Sequence, residues 1–136
     1  MFSYLGAPLL NVQWSWGAVR EIDGAVFLVV WQDESMRRDN RNYSLVHNQV
    51  FWGATTDSNG LNERRRHLDL VRQGAKTYLI MARATDDRTP GAPRRIAELN
   101  SEEVFVAGEL FEENNGNIWL ERVSRVPVDR VRVREA

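Results

Sequence analysis

Residues 11–34 read NVQWSWGAVREIDGAVFLVVWQDE, and this stretch predicts a β-hairpin on which the rest of the fold is built. Trp14 and Trp16 lie two positions apart, so a strand places both rings on one face. The Asp-Gly pair at 23–24 accepts the positive φ angles of a tight hairpin turn. The following run, residues 25–31, is apolar throughout, which is typical of a strand covered on both faces. We therefore expect this second strand to lie in the centre of a sheet.

The remaining chain adds one helix and several strands to this hairpin. Residues 61–73 carry apolar side chains at helical spacing, with Asn62 as the expected N-cap and Gly74 as the residue that ends the helix. Residues 35–42, SMRRDNRN, have no periodicity and are expected to form a charged surface loop. The further strands are expected at 43–49, 76–84, 104–113, 117–126 and, at an edge, 129–136.

This order of elements predicts a β-rich α+β fold. Curled sheets of this size often close into small barrels. We expect a barrel of six or seven strands, with the one main helix covering one end or one face. The 136 residues are enough for one hydrophobic core, so the chain is expected to be a single domain over residues 1–136.

The composition is that of an ordinary soluble protein, with 43% hydrophobic and 27% charged residues. No run approaches the roughly 20 apolar residues that cross a bilayer, so we expect no membrane association and a cytoplasmic location. The chain has no cysteine and two histidines, His47 and His67, which leaves little from which to build a metal site. Neither a metal nor a cofactor is expected.

The basic residues are unusual in kind, because Lys76 is the only lysine among 18 lysines and arginines. Arginine forms forked hydrogen bonds to phosphate and stacks on flat rings, which suits a nucleic-acid binder. A genome rich in G and C produces the same bias through codon usage. The net charge of −1 argues against a protein that coats DNA through a broad basic surface.

Enzyme motifs are absent from the sequence. It has no nucleophile elbow, no phosphate-binding glycine loop followed by lysine, and no zinc-protease helix motif. The paired carboxylates at 33–34 and 86–87 lie in polar stretches typical of solvated loops. Catalysis is therefore not expected, although a small enzyme acting on a heterocyclic ligand is kept as an alternative.

Tryptophan provides the strongest functional signal, with five residues in this short chain. Four of them lie on or near the first hairpin, where an aromatic plane bordered by amide and carboxyl groups would suit a planar heterocycle. Each could instead be a core residue or, if exposed, an anchor for a protein partner. The predicted base-binding residues are Trp14, Trp16, Trp31, Trp52, Asn11, Gln13 and Asp33.

The helix carries three consecutive arginines, Arg64, Arg65 and Arg66. Such a run is most often a solvated helix face. The functional alternative is a clamp for the phosphates of a nucleic acid beside the aromatic pocket. His67, the next residue, is expected on a partly buried face of the helix.

The segments NVQWSWGAV, VFLVVWQDE and FVAGELF, with the helix between the last two, resemble the PUA-like group of small barrels. Within that group the chain is most similar to EVE-like modules found beside HNH nucleases in restriction systems. The resemblance implies a module that reads a modified base, for example a methylated one, in DNA, with RNA as the alternative. It assigns Trp14, Trp16 and Trp31 to the walls of the pocket, and Trp52 more weakly. A nuclease effector, separate or fused, is the implied partner in a DNA defence system.

Overall fold

The part of the chain that the structure describes folds into eight strands and two helices. The computed structural model describes residues 2, 4–9, 16–48, 59–85 and 96–132. The strands are β1 (Gly17–Val19), β2 (Val26–Trp31), β3 (Ser35–Arg38), β4 (Arg41–His47), β5 (Thr77–Ala84), β6 (Ile96–Leu99), β7 (Glu103–Glu112) and β8 (Ile118–Pro127). The helices are α1 (Asn59–Arg72) and α2 (Val128–Val131).

The predicted first hairpin is confirmed. β1 pairs antiparallel with β2, and Gly17 lies opposite Leu28. In the connecting turn Gly24 has a φ of 72°, the left-handed conformation that glycine adopts without strain. β2 lies between β1 and β5, and residues 26–30 are all buried. The central position predicted for this strand is therefore confirmed as well.

All eight described strands belong to one mixed sheet, in the order β1-β2-β5-β7-β8-β4-β3, with β6 also paired to β5. β2 and β5 are parallel, and the long connection that parallel strands need contains β3, β4 and α1. Every other pairing is antiparallel. Within the described residues this hydrogen-bonded path ends at β3 without returning to β1. The β-rich α+β class is confirmed, but the sheet is not closed into a barrel.

The sheet curls around one of its two faces, which we call the inner face. Alternate residues Leu28 and Leu79 of the parallel pair meet Leu120 of β8 and Leu68 of α1 in one apolar cluster. Because two distant parts of the same sheet share this cluster, the sheet must bend around it. The intervening residues Phe27, Val29, Tyr78 and Ile80 point to the opposite, outer face and pack there with Leu5 and Val131.

The helix lies where it was expected, but it begins earlier. α1 starts at Asn59, so Asn62 is an exposed residue inside the helix and not its N-cap. The predicted end is confirmed. Gly74 has a φ of 97°, and its N–H donates to the carbonyl of Val71 at 3.0 Å, while the N–H of Ala75 donates to Leu70 at 3.1 Å. These two bonds form a Schellman motif.

The charged loop expected at 35–42 is wrong, because these residues form β3 and the start of β4. Asp39 and Asn40 join the two strands, with φ angles of 51° and 61°. Two consecutive left-handed residues make the type of turn whose twist matches a hairpin, and Asp and Asn tolerate that conformation. The strand β3 lies at the sheet edge and is largely exposed, so it shows no apolar alternation.

The second hairpin, formed by β7 and β8, is confirmed with Gly116 at φ 92° in its turn. The prediction of an edge strand at 129–136 is wrong for residues 129–132, which are the part of this range that the structure describes. Residues 128–131 form the short helix α2, with Val128 and Val131 buried on the outer face. A spacing of three suits one helical turn, which brings both valines to the same side.

The two ends of the described chain are joined through Arg20. Its Nη1 donates to the carbonyl oxygens of Leu5 at 3.1 Å and Val131 at 2.7 Å, while Nε and Nη2 form a fork on Asp23 at 3.0 and 2.8 Å. The hydrogen bond from Arg20 holds the pKa of Asp23 below its usual value. Nearby, the Tyr4 hydroxyl donates to Asp129. One buried guanidinium therefore links the hairpin turn with both terminal segments.

Gly17 marks the closest approach between α1 and the first hairpin. A Cβ at this position would lie 2.6 Å from the carbonyl oxygen of Phe27 and 3.1 Å from Nδ1 of His67. Gly17→Ala is therefore expected to lower the free energy of unfolding by about 1–3 kcal/mol, because backbone must move to admit the methyl group. Urea denaturation measures the change. Gly74→Ala is the comparison variant, because it introduces backbone strain at a left-handed residue but no close contact. An equal loss of unfolding free energy in the two variants would argue against crowding at Gly17.

Candidate functional site

An open cleft of about 780 Å³ lies on the inner face of the sheet, and we call it the inner cleft. Met81 and Phe105, which border the inner apolar cluster, contribute its apolar surface. Polar side chains surround this surface, including Gln32, Ser35, Asn42, Asn100, Arg122 and Arg125. A concave surface with a small apolar centre and many hydrogen-bonding groups is the usual form of a ligand site.

The centre of the inner cleft is an aromatic ring beside two cations. The guanidinium carbons of Arg122 and Arg125 lie 5.7 and 5.1 Å from the centroid of the Phe105 ring. Both distances are within the range of a cation–π interaction. Phe105 itself is half-buried, so part of its surface stays open to the cleft.

A β-bulge in β8 brings the two arginines to the same face. Phe105 of β7 lies opposite Arg125, but Ala107 lies opposite Arg122, so one residue of β8 is skipped. In a regular strand, residues three apart point to opposite faces. The extra residue, Val123, is 59% exposed, and the bulge turns both guanidinium groups toward the inner cleft.

Arg122 is held firmly on one side of its guanidinium. Nη1 donates to the hydroxyl of Ser44 at 2.6 Å, to the carbonyl of Tyr43 at 3.0 Å and to the hydroxyl of Ser35 at 3.2 Å. Partial burial, followed by the charge of Arg125, lowers the pKa of Arg122. The register of β3 and β4 places the two serines directly opposite each other, so the adjacent hairpin provides this support.

The two central cations have no carboxylate partner among the described residues. Arg83, also in the cleft, forms an ion pair with Glu98 at 3.3 Å, whereas no such pair forms at Arg122 or Arg125. Like charges so close repel each other unless an anion lies between or beside them. The inner cleft, which Glu98 and Glu102 also line, therefore offers a flat apolar surface next to two arginines that form no direct ion pair with a described residue.

The structure separates the three helix arginines. Arg64 is buried, and its Nη2 donates to the carbonyls of Val29 at 3.0 Å and Trp16 at 3.3 Å. The expectation that this residue lies on a solvated face of the helix is therefore wrong. Burial lowers the pKa of Arg64 to about 10. Arg65 and Arg66 are exposed. Arg65 lines a second open cleft, of about 530 Å³, between α1 and the β7–β8 turn.

The predicted base-binding residues are only partly described. Asn11, Gln13, Trp14 and Trp52 lie outside the described residues. The rings of Trp16 and Trp31 do come together, with centroids 5.4 Å apart and planes inclined by 54°.

Both of these described rings are half-buried and pack against the outer-face core, so they lie across the sheet from the inner cleft. Asp33 is exposed, and neither it nor the two tryptophans line either of the two clefts. Their assignment as base-binding residues stays a prediction.

Sequence reasoning missed Phe105, Arg122, Arg125 and Ser44. One signal for the bulge was present, because the apolar residues of β8 are spaced by two at Ile118 and Leu120 and then by three at Val123. Such a break in alternation indicates an extra residue in the strand. The contacts of Ser44 depend on the pairing of β4 with β8, which joins residues far apart in the chain.

The described residues contain no group of three or more His, Cys, Asp or Glu side chains that could hold a metal ion. They also contain no helix with the length and apolar character needed to cross a membrane. Comparisons of the chain with protein-family models, with curated proteins and with solved structures found no match.

Proposed function

We propose that this protein binds nucleic acid in the inner cleft and carries out no chemistry on it. The observation that supports the proposal most directly is the half-buried ring of Phe105 beside Arg122 and Arg125, neither of which forms an ion pair with a carboxylate in the described part of the chain. A nucleotide carries a flat base and an anionic phosphate, and therefore matches both features.

The size of the inner cleft favours a ligand larger than a simple anion. Its volume of about 780 Å³ is within the range that accommodates small organic ligands, roughly 300–1,000 Å³. Amide groups of Gln32, Asn42 and Asn100 border it and can donate and accept hydrogen bonds. We propose that a base stacks on Phe105 and that these amides contact its edge.

The finer functional proposal is that the bound base carries a modification such as methylation. In that case the protein would be the recognition module of a defence system, acting with a nuclease effector in the cytoplasm. The PUA-like and EVE-like resemblance and the cluster of tryptophans support this proposal. DNA is the proposed ligand, with RNA as the alternative tested beside it.

Fluorescence anisotropy with short labelled oligonucleotides tests the proposal. Single-stranded DNA, RNA and duplex DNA are compared, each with and without a methylated base. Arg125→Ala and Phe105→Leu are expected to weaken binding of the preferred ligand about 5–100-fold, since a stacked base contributes roughly 1–3 kcal/mol. Arg125→Ala is also expected to reduce the salt dependence of log K by about 0.7 for a single strand, because one phosphate contact is lost.

Arg130→Ala is the matched control, because Arg130 is exposed on α2 and does not line the inner cleft. Full affinity in both cleft variants would exclude the inner cleft as the site. If Trp31→Phe reduced affinity instead, the ligand would lie on the outer face. Equal affinity for methylated and plain strands would refute recognition of the modification while leaving nucleic-acid binding in place.

A further inference from the structure

We infer that Arg122 binds one phosphate of the nucleic acid through two nitrogen atoms, and that Ser44 and Ser35 are the residues that hold it in position. The inference rests on the proposed function and deepens it, because it assigns one phosphate contact to Arg122 and explains how that side chain is oriented.

The hydrogen bonds of Arg122 are all on one side of its guanidinium. Those it makes with described residues use Nη1 alone, and they reach Ser44, Tyr43 and Ser35. Nε and Nη2 therefore stay available on the adjacent edge. These two N–H groups point in parallel and match two oxygens of one phosphate, a geometry that lysine cannot reproduce.

Ser44 is the stronger of the two supports. It is fully buried, and its hydroxyl accepts the shortest of the three bonds at 2.6 Å. Water cannot compete for a hydroxyl without solvent access, so the bond restricts the rotation of the Arg122 side chain. A guanidinium fixed before the ligand arrives loses little conformational entropy on binding.

Arg125 completes the case for a phosphate. Its guanidinium carbon lies 5.1 Å from the centroid of the Phe105 ring, and no described carboxylate pairs with it. A phosphate bound to Arg122 would relieve the repulsion between the two cations. A simple carboxylate ligand would do the same, whereas a nucleotide also supplies a base for Phe105.

Three variants test the roles of the individual groups. Arg122→Lys keeps the charge and loses the fork, and it is expected to weaken strand binding about tenfold or more. Ser44→Ala keeps both cations and is expected to weaken binding about threefold to tenfold, with the salt dependence unchanged. Ser35→Ala, at an exposed site, provides a second test if Ser44→Ala fails to fold. Arg130→Ala, outside the inner cleft, is again the control and should bind normally.

Oligonucleotides with a neutral methylphosphonate at one position at a time identify the phosphate. One position is expected to weaken wild-type binding and to have no further effect on Arg122→Ala. Additive effects at every position would overturn the inference. Inorganic phosphate at matched ionic strength should change the affinity for the strand by no more than about twofold. Full displacement of the strand by inorganic phosphate would make free phosphate the ligand instead.

The two proposals fail in different ways. If Arg125→Ala weakens binding while Arg122→Lys, Ser44→Ala and Ser35→Ala bind as the wild type, nucleic-acid binding stands and the positioned fork is refuted. If no oligonucleotide binds the wild-type protein, both proposals are refuted together.

Discussion

Arg20→Ala is expected to lower the free energy of unfolding by about 3–5 kcal/mol, which is much of the stability of a domain of this size. The side chain is 3% exposed and donates four hydrogen bonds, two of them to main-chain carbonyls of the terminal segments. Its removal leaves Leu5 and Val131 with carbonyls that have lost a buried donor, and each such group costs about 1–3 kcal/mol. Urea denaturation followed by tryptophan fluorescence measures the change.

Arg20→Lys separates charge from geometry at this position. Lysine keeps the cation but cannot form the fork on Asp23 while donating to two carbonyls. Arg20→Lys is therefore expected to lower the free energy of unfolding by more than half as much as Arg20→Ala does. Arg72→Ala is the surface control, since its ion pair with Asp69 is exposed and should contribute less than about 1 kcal/mol. A loss at Arg20 no larger than at Arg72 would disprove the structural role of this link.

The free energy of unfolding is expected to fall by about 2 kcal/mol as the pH drops from about 6.5 to about 4, through the single group His67. Burial, followed by the charges of Arg64 and Arg66, lowers the pKa of His67 from 6.5 to about 4. Between these values the unfolded chain binds a proton that the folded chain does not, so stability rises with pH. The expected change of about 2 kcal/mol is smaller than the free energy equivalent to the full pKa shift, because residual solvent contact screens part of the interaction.

Comparison with His67→Gln isolates this effect from the carboxylates, which titrate in an overlapping range. The difference in unfolding free energy between wild type and His67→Gln should change across this window and be flat above pH 7. The explanation would be ruled out by parallel pH profiles of the wild type and His67→Gln.

Several elements could be predicted from the sequence because their signals are local. The uninterrupted apolar run of β2, the left-handed Gly74 after α1 and the turn around Gly116 each depend on neighbouring residues alone. Local signals also explain one failure. Asp39 and Asn40 form a good hairpin turn, but the exposed strand β3 beside it offers no apolar pattern to reveal it.

The closure of the sheet and the position of the cleft could not be predicted, because both depend on contacts between distant residues. Whether β1 meets β3 is decided by twist and curl summed over the whole sheet. The pair Arg122 and Arg125 reaches one face only through the bulge at Val123. The tryptophans drew attention by their size and number, yet Trp16 and Trp31 lie on the outer face.

The two faces of the sheet have a practical consequence for binding experiments. Tyr4 and Asp129 hydrogen-bond each other beside the outer-face core, and the inner cleft opens on the opposite side of the sheet. Neither residue lines the inner cleft, so a dye or a surface linker attached at either of them would not occupy the proposed binding site.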